Sequence, residues 1–376
     1  KQRKNMKNIT KILLSLIASF AISTATFAGE VTVTGSAVAS YQLGSSDSTT
    51  GKKDGSKNIG IANELTFAAT GELDNGFAWK WQTELDSGAE TTSGAGIDDS
   101  QLVITTDMGA IGIYVSEGSL RGGALGWDVT ANGAGSDNGA GGGFVNGTEL
   151  SGWNNLQLHS AAGMLPFGTV VKVGRSFGDT GINSKNSTGG QASNTHADFT
   201  IGSSTANWGS SEVTQWQVTT APVEGLTVTA DYLDVGEVAA TANAYSPEEG
   251  HISAKYAAGN LSLGAGMGWK QNAVSTAATV STVDYYENRA FAIGYAVNDN
   301  LTLSYSDEES SVSFKEGGTG VTESRNADID VTVTSIQGAY TMGGMTIALS
   351  LDDIENSGYV QAADETEFLL NVSMAF

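Results

Sequence analysis

Residues 365–376 read ETEFLLNVSMAF. Phe368, Leu370, Val372, Met374 and Phe376 fall on one parity, and Glu367, Asn371 and Ser373 fall on the other. That is the period of a strand with one apolar and one polar face. Left as an open edge, such a strand invites association with other chains. It therefore calls for a partner on each flank and an apolar medium on its greasy side, and a closed membrane barrel supplies both.

Working back from this stretch, the same alternation recurs at 31–41, 59–70, 77–86, 101–106, 111–117, 156–161, 169–177, 212–220, 226–235, 251–256, 261–270, 286–296, 301–306, 329–340 and 345–354. With 365–376 that makes sixteen strands. No segment after residue 28 holds a helical apolar period for three turns. The connections alternate between short and long. The short ones (73–76, 107–110, 163–168, 221–225, 257–260, 298–300 and 342–344) are rich in Gly, Asn, Asp or Pro, residues that accept tight-turn dihedrals. The long ones are 43–58, 87–100, 118–154, 178–211, 236–250, 271–285, 307–328 and 355–364. Loop length segregated by rim is the mark of an outer-membrane barrel, with short periplasmic turns and long external loops. An even strand number returns both ends to the short-turn rim, and pairing the strand after Gly29 with the last one removes both sheet edges. The THADFTIGSS stretch at 195–204 has room for an extra hairpin, which would raise the count to eighteen.

The start of the chain reads as a secretory signal peptide over residues 1–28. Lys7 and Lys11 precede an apolar run from Ile12, and Thr26, Phe27 and Ala28 offer a cleavage site. Residues 1–5 precede an initiator-like Met6, and 29–376 form one barrel domain. The segment removed carries five of eighteen basic residues and none of forty-one acidic ones, leaving a net charge of −28. Nucleic acid is excluded as a partner on this charge. The chain has no cysteine, hence no disulfide framework and no thiolate chemistry.

Parity assigns the faces. In 77–86, Phe77, Trp79, Trp81, Thr83 and Leu85 point to lipid and Ala78, Lys80, Gln82 and Glu84 to the lumen. In 261–270, Leu261, Leu263, Ala265, Met267 and Trp269 point out, and Ser262, Gly264, Gly266, Gly268 and Lys270 point in. Phe77, Tyr295, Tyr340 and Phe376 near the short turns, and Tyr41, Trp269 and Tyr305 near the loops, stand where interfacial girdles belong.

The signal segment, the LTFAATGELDNGFAWKWQTELD hairpin at 65–86, the TDMGAIGIYVSEG stretch at 106–118 and the terminal FLLNVSMAF together resemble the general, trimeric porins of the Gram-negative outer membrane, most of all their alphaproteobacterial branch. The resemblance spans the mature chain. It implies a homotrimer in contact with the lipid bilayer and lipopolysaccharide, and recognition of the last strand by the outer-membrane assembly machinery. It also implies a water-filled pore for small hydrophilic solutes, with a third loop folded inward as the constriction. The third connection, 118–154, is the longest and holds twelve glycines. In this family loop acids face a basic cluster on the opposite wall. That makes Asp128, Asp137 and Glu149, with Glu117 and Arg121 at the loop's entry and Glu84 on the wall, candidates beside the inward bases Lys80, Lys172, Lys255 and Lys270. Arg175, Arg289 and Arg325 fall on outward parity or in loops, a departure from the family's arginine-rich wall.

Other chemistry is weakly supported. A hydrolase would need His159, His196 or His251 beside a nucleophile, and only His251 with Ser253 or Glu249 offers a start. The acid runs Asp307-Glu308-Glu309 and Asp352-Asp353 present oxygen ligands suited to Ca²⁺, though a solvated acidic loop explains them as well. GAGGGF at 139–144 lacks the lysine and strand-to-helix setting of a phosphate loop. The competing reading is a secreted or surface β-rich adhesin without channel activity; it requires a short fixed repeat, and none is visible.

Overall fold

The computed structural model describes residues 30–47, 53–86, 96–115, 117–120, 126–135, 150, 154–177, 199–201, 204–206, 212–236, 248–271, 283–314, 330–359 and 361–376. The expected signal peptide lies outside these. In chain order the strands are β1 (Glu30–Asp47), β2 (Lys53–Glu72), β3 (Ala78–Asp86), β4 (Gly96–Thr106), β5 (Gly109–Val115), β6 (Asn155–Ser160), β7 (Val170–Ser176), β8 (Phe199–Ile201) and β9 (Ser204–Ala206). They continue with β10 (Val213–Val223), β11 (Leu226–Val235), β12 (Glu248–Ala258), β13 (Leu261–Gln271), β14 (Val283–Ala296), β15 (Leu301–Phe314), β16 (Asp330–Met342), β17 (Met345–Glu355) and β18 (Asp364–Ala375).

Sixteen of these close into one antiparallel barrel; β8 and β9 pair only with each other. The extra hairpin read in the THADFTIGSS stretch therefore exists, and it does not join the barrel. The seam is β1 on β18, in register from Ser36 opposite Ala375 to Asp47 opposite Asp364. Beyond the register, Gly35 and Phe376 exchange backbone hydrogen bonds of 2.7 and 2.9 Å. With no edge left in the barrel, each of its sixteen strands has two partners.

Several strands run further toward the long-loop rim than the sequence pattern indicated. β15 continues through Asp307, Glu308 and Glu309 to Phe314 because the alternation persists after its outward residues turn from apolar to charged. Glu308 is fully buried on the inside, whereas Glu309 meets Arg289 of β14 on the outside. Arg175 and Glu212 make a second outward ion pair. These pairs lie on the long-loop side of the apolar belt and mark its limit.

The barrel is inside-out relative to a water-soluble sheet. Ile59 (79% exposed), Ile61 (68%), Met267 (60%) and Ile336 (61%) stand bare on the outer face. Gln82, Gln157, Gln215, Gln217, Asp231, Ser335 and Asp352 are buried toward the lumen. An apolar belt of this extent is stable only against an apolar medium. Trp216, Tyr232 and Trp269 pack in tilted pairs along the outer face toward the long-loop rim, with ring centroids 5.9 and 6.2 Å apart. Tyr295, Tyr340 and Phe376 are exposed near the short turns. Both positions are those of interfacial aromatic girdles.

Candidate pore constriction

The described residues of the third connection, between β5 and β6, lie inside the barrel. They follow the inner wall. Leu120 and Leu150 are fully buried against Gly174 of β7, and the Leu150 amide donates to the Gln215 side chain of β10 at 2.9 Å. Gly126 faces Ser253 of β12, Trp127 (1% exposed) sits on Gly264 and Gly266 of β13, and the Val129 carbonyl lies against Gly294 of β14. Beyond these, Ala131 donates to Ser304 Oγ of β15 at 2.8 Å, and Asn132 donates to Gln337 Oε1 of β16 at 2.7 Å. Gln337 Nε2 donates in return to the Gly133 carbonyl at 2.6 Å, and Asn371 of β18 reaches Asn132 Oδ1 at 3.1 Å. The hydrogen bonds to Leu150, Ala131, Asn132 and Gly133 give these loop backbone groups wall partners, as a peptide buried away from bulk water requires.

The wall on the far side of the ring is acidic. Eight strands round the ring from β13 stands β3, which carries Glu84 with Gln82 donating to it. Thr66 of β2 bridges this carboxylate and a second one, its hydroxyl lying 3.1 Å from Glu64 Oε1 and 3.4 Å from Glu84 Oε1. Glu64 and Glu117 each lie close enough to act on the charge of Glu84. Glu117 also folds back on its own chain, accepting from the Gly118 amide at 2.6 Å. The acidic lining extends along β18 and β17. Glu367 there accepts from Gln42, and Asp352 accepts from Ser335 and from Ser350 (2.9 Å).

Of the candidates read from the sequence, Lys80 faces the lumen on β3, toward the short-turn rim from Glu84. Lys172 on β7 is half-buried opposite His159. Lys255 and Lys270 take inward parity on β12 and β13, on the side of the ring where the loop lies. Asp128 is spent within the loop, where one carboxylate oxygen accepts from both the amide (2.8 Å) and the hydroxyl (2.6 Å) of Thr130. Arg121, Asp137 and Glu149 lie outside the described residues. Three of the four lysines thus share the loop's side of the ring with the inward carboxylates Asp231, Glu249 and Glu308, and Glu64 and Glu84 stand on the opposite side. Glu64 escaped the sequence reading although its inward parity on β2, between outward Ile61 and Leu65, was visible.

His251 sits between two carboxylates, with Nδ1 3.3 Å from Asp231 Oδ1 and Nε2 3.2 Å from Glu249 Oε1. Ser253 instead faces Gly126 of the loop. The acid runs considered for Ca²⁺ fall within β15 and β17, where successive side chains point to opposite faces, so neighbouring acids do not converge. Among the described residues no group of three or more His, Asp or Glu is placed to hold a metal.

A second inward feature lies nearer the long-loop rim. Tyr359, between β17 and β18, packs against Val331, Val333 and Ile354 on the inner wall, hydrogen-bonds Ser310 at 2.7 Å and lies 5.6 Å from the Tyr286 ring. Three non-glycine residues of this loop, Asn356, Tyr359 and Ala362, take left-handed backbone angles. The Asn356 side chain supports the turn, accepting from the Ala362 amide (2.9 Å) and donating to the Asp330 carbonyl (3.0 Å).

No protein-family model matches the chain, and no curated protein matches it in sequence. Solved structures do match in shape. OmpF of Salmonella typhi in complex with daunomycin is 14% identical with a TM-score of 0.65, covering 94% of this chain and 100% of that one. An anion-selective porin from Comamonas acidovorans is 11% identical with a TM-score of 0.58, covering 92% and 100%. A triple mutant of the Rhodopseudomonas blastica porin is 14% identical with a TM-score of 0.56, again covering 92% and 100%. Over nearly its whole length the chain has the porin fold: a closed sixteen-stranded antiparallel barrel.

Proposed function

We propose that this protein is an outer-membrane porin, a water-filled channel through which small hydrophilic solutes and ions cross by passive diffusion. The observation that carries the reading is the third loop pinned to one inner wall of an inside-out sixteen-stranded barrel. A barrel of this strand number leaves an aqueous lumen, and a loop held against one side narrows that lumen without filling it. The opening then lies between the loop and the wall carrying Glu64 and Glu84. Selectivity in such a pore comes from width and lining charge. Inward carboxylates on both sides of the lumen, Glu64 and Glu84 facing the loop and Asp231, Glu249 and Glu308 on the loop's side, support a preference for cations.

The finer expectations belong to the same proposal. The short-turn rim is periplasmic and the long-loop rim external, the chain is exported by residues 1–28, and the barrel works as a homotrimer among lipid and lipopolysaccharide. Its terminal strand is read by the assembly machinery, and residues 65–86, 106–118 and 368–376 support placement in the alphaproteobacterial branch. Purified protein added to planar bilayers is expected to give stepwise ohmic conductances, grouped in threes. Membranes that stay silent at high protein, or a protein that remains a soluble monomer without detergent, would end this reading.

A further inference from the structure

Where Trp127 and Val129 lie, the inner wall presents residues without side chains. Gly264 and Gly266 occupy successive inward positions on β13, and Gly294 occupies one on β14. Glycine weakens a strand, since it costs backbone entropy and packs nothing against its neighbours, and its usual reason in a strand interior is the close approach of another backbone. Here the approach is visible. A methyl at Gly264 would overlap the carbonyl oxygen of Trp127, one at Gly266 would overlap its indole, and one at Gly294 would come within 2.5 Å of the Val129 carbonyl oxygen. Gly126, just before Trp127, is pressed on Ser253 in the same way. By contrast, Gly60 on β2 meets nothing within 4 Å of such a methyl. The inward glycines of β13 and β14 at 264, 266 and 294 are therefore the footprint of the loop, whereas Gly60 carries no contact.

We propose that Trp127 seated on Gly264 and Gly266 is the latch that sets the bore: the depth of this glycine seat fixes how far the third loop stands from the wall, and hence the width of the remaining opening. Trp127 is a positioning residue, not one that touches solute. Its indole is buried with Ala134, Ala290 and Ala292, and Val129 packs on the same group. Small alanines beside the glycines let the ring lie deep, and a bulkier wall would push the loop toward the barrel axis. Raising the wall and removing the latch therefore act in opposite senses. A methyl at Gly264 meets a backbone oxygen, which cannot rotate away as a flexible side chain can, so the loop itself must move. Truncating Trp127 leaves the seat empty and frees the loop to shift.

The proposal rests on the channel reading, and its test separates the two. Single-channel conductance in planar bilayers and the solute cut-off in proteoliposome swelling with graded sugars are measured for the unmodified protein, Gly264→Ala, Trp127→Ala, Trp127→Phe and Gly60→Ala. Heat-modifiable migration checks that each barrel is folded. Gly264→Ala is expected to lose roughly half of the conductance and to lower the cut-off. Trp127→Ala is expected to raise the cut-off and add open-channel noise, with Trp127→Phe restoring values near those of the unmodified protein and Gly60→Ala matching it. If Gly264→Ala gives no folded barrel, the two Trp127 variants decide: a cut-off raised by alanine and restored by phenylalanine supports the latch. Folded variants with unchanged conductance and cut-off, or alanine at 127 and at 264 shifting the cut-off in the same direction, overturn it while leaving the channel intact. An unmodified protein that does not conduct removes the channel reading, and the latch with it.

Discussion

The ring of Phe376 lies over Gly35 on the outer face of the seam, where a methyl on Gly35 would come within 2.7 Å of the ring. The same device recurs at Gly71, covered by Trp79 of the next strand. An aromatic laid across a bare glycine restores contact that the glycine lacks and pins the register of the pair. Gly35→Val is therefore expected to destabilise barrel closure by about 1–3 kcal/mol, the usual cost of overpacking a filled site. Urea unfolding in detergent, followed by heat-modifiable migration, measures it; an unchanged midpoint would show that the seam does not depend on this contact.

Gln337 ties the loop to β16 with both ends of its amide. Gln337→Leu keeps the bulk and leaves the Asn132 amide and the Gly133 carbonyl without that partner. A cost of about 1–3 kcal/mol is expected for buried groups left unmet. Proteolysis at the third loop should quicken while the barrel stays folded. Equal cleavage rates for both proteins would mean the loop is held elsewhere.

Charge selectivity tests the lumen's polarity. A unit charge about 8 Å from a permeating ion in a water-like dielectric shifts its partitioning by about 0.5 kcal/mol, or about twofold. Glu84→Gln and Glu64→Gln are expected to lower the cation-to-anion permeability ratio by about that factor each. Lys80→Ala and Lys172→Ala are expected to raise it. Reversal potentials in a salt gradient read the sign directly, and no shift for Glu84→Gln would remove it from the pore lining.

Tyr359 supplies a pH dependence. Burial pushes its hydroxyl above the ordinary tyrosine value of 10.0, the Ser310 hydrogen bond opposes that rise, and the neighbouring Tyr286 adds to it. Because the folded value is the higher one, its contribution to stability is complete below pH of about 10 and is lost as pH climbs through the folded value. Ultraviolet titration is expected to show a tyrosine that ionises later than the exposed ones. Tyr359→Phe should remove one tyrosine from that late phase and cost about 1 kcal/mol, the worth of one hydrogen bond. A titration identical in both proteins would contradict the burial seen here.

How much of this could be read in advance depends on the range of the interaction. Alternation along ETEFLLNVSMAF and its fifteen counterparts, with turns and loops segregated by rim, determined the barrel and the face of each strand residue, and left sixteen or eighteen strands open until β8 and β9 proved to pair only with each other. Barrel and faces follow from the two-residue period of an extended chain and from the need to pair every backbone group. Even Gly264 and Gly266 were placed on the inward face by parity alone. What parity does not carry is the reason for them. Asn132 and Gln337 are 205 residues apart, Asn132 and Asn371 239, and the loop's side of the lumen follows from such distant contacts. Only the closed tertiary structure decided that Trp127 lies on the glycine seat, that three lysines share the loop's side, and that Glu64 joins Glu84 on the wall it faces. A single strand specifies which way its side chains point, while the opposite side of a pore exists only once the ring has closed.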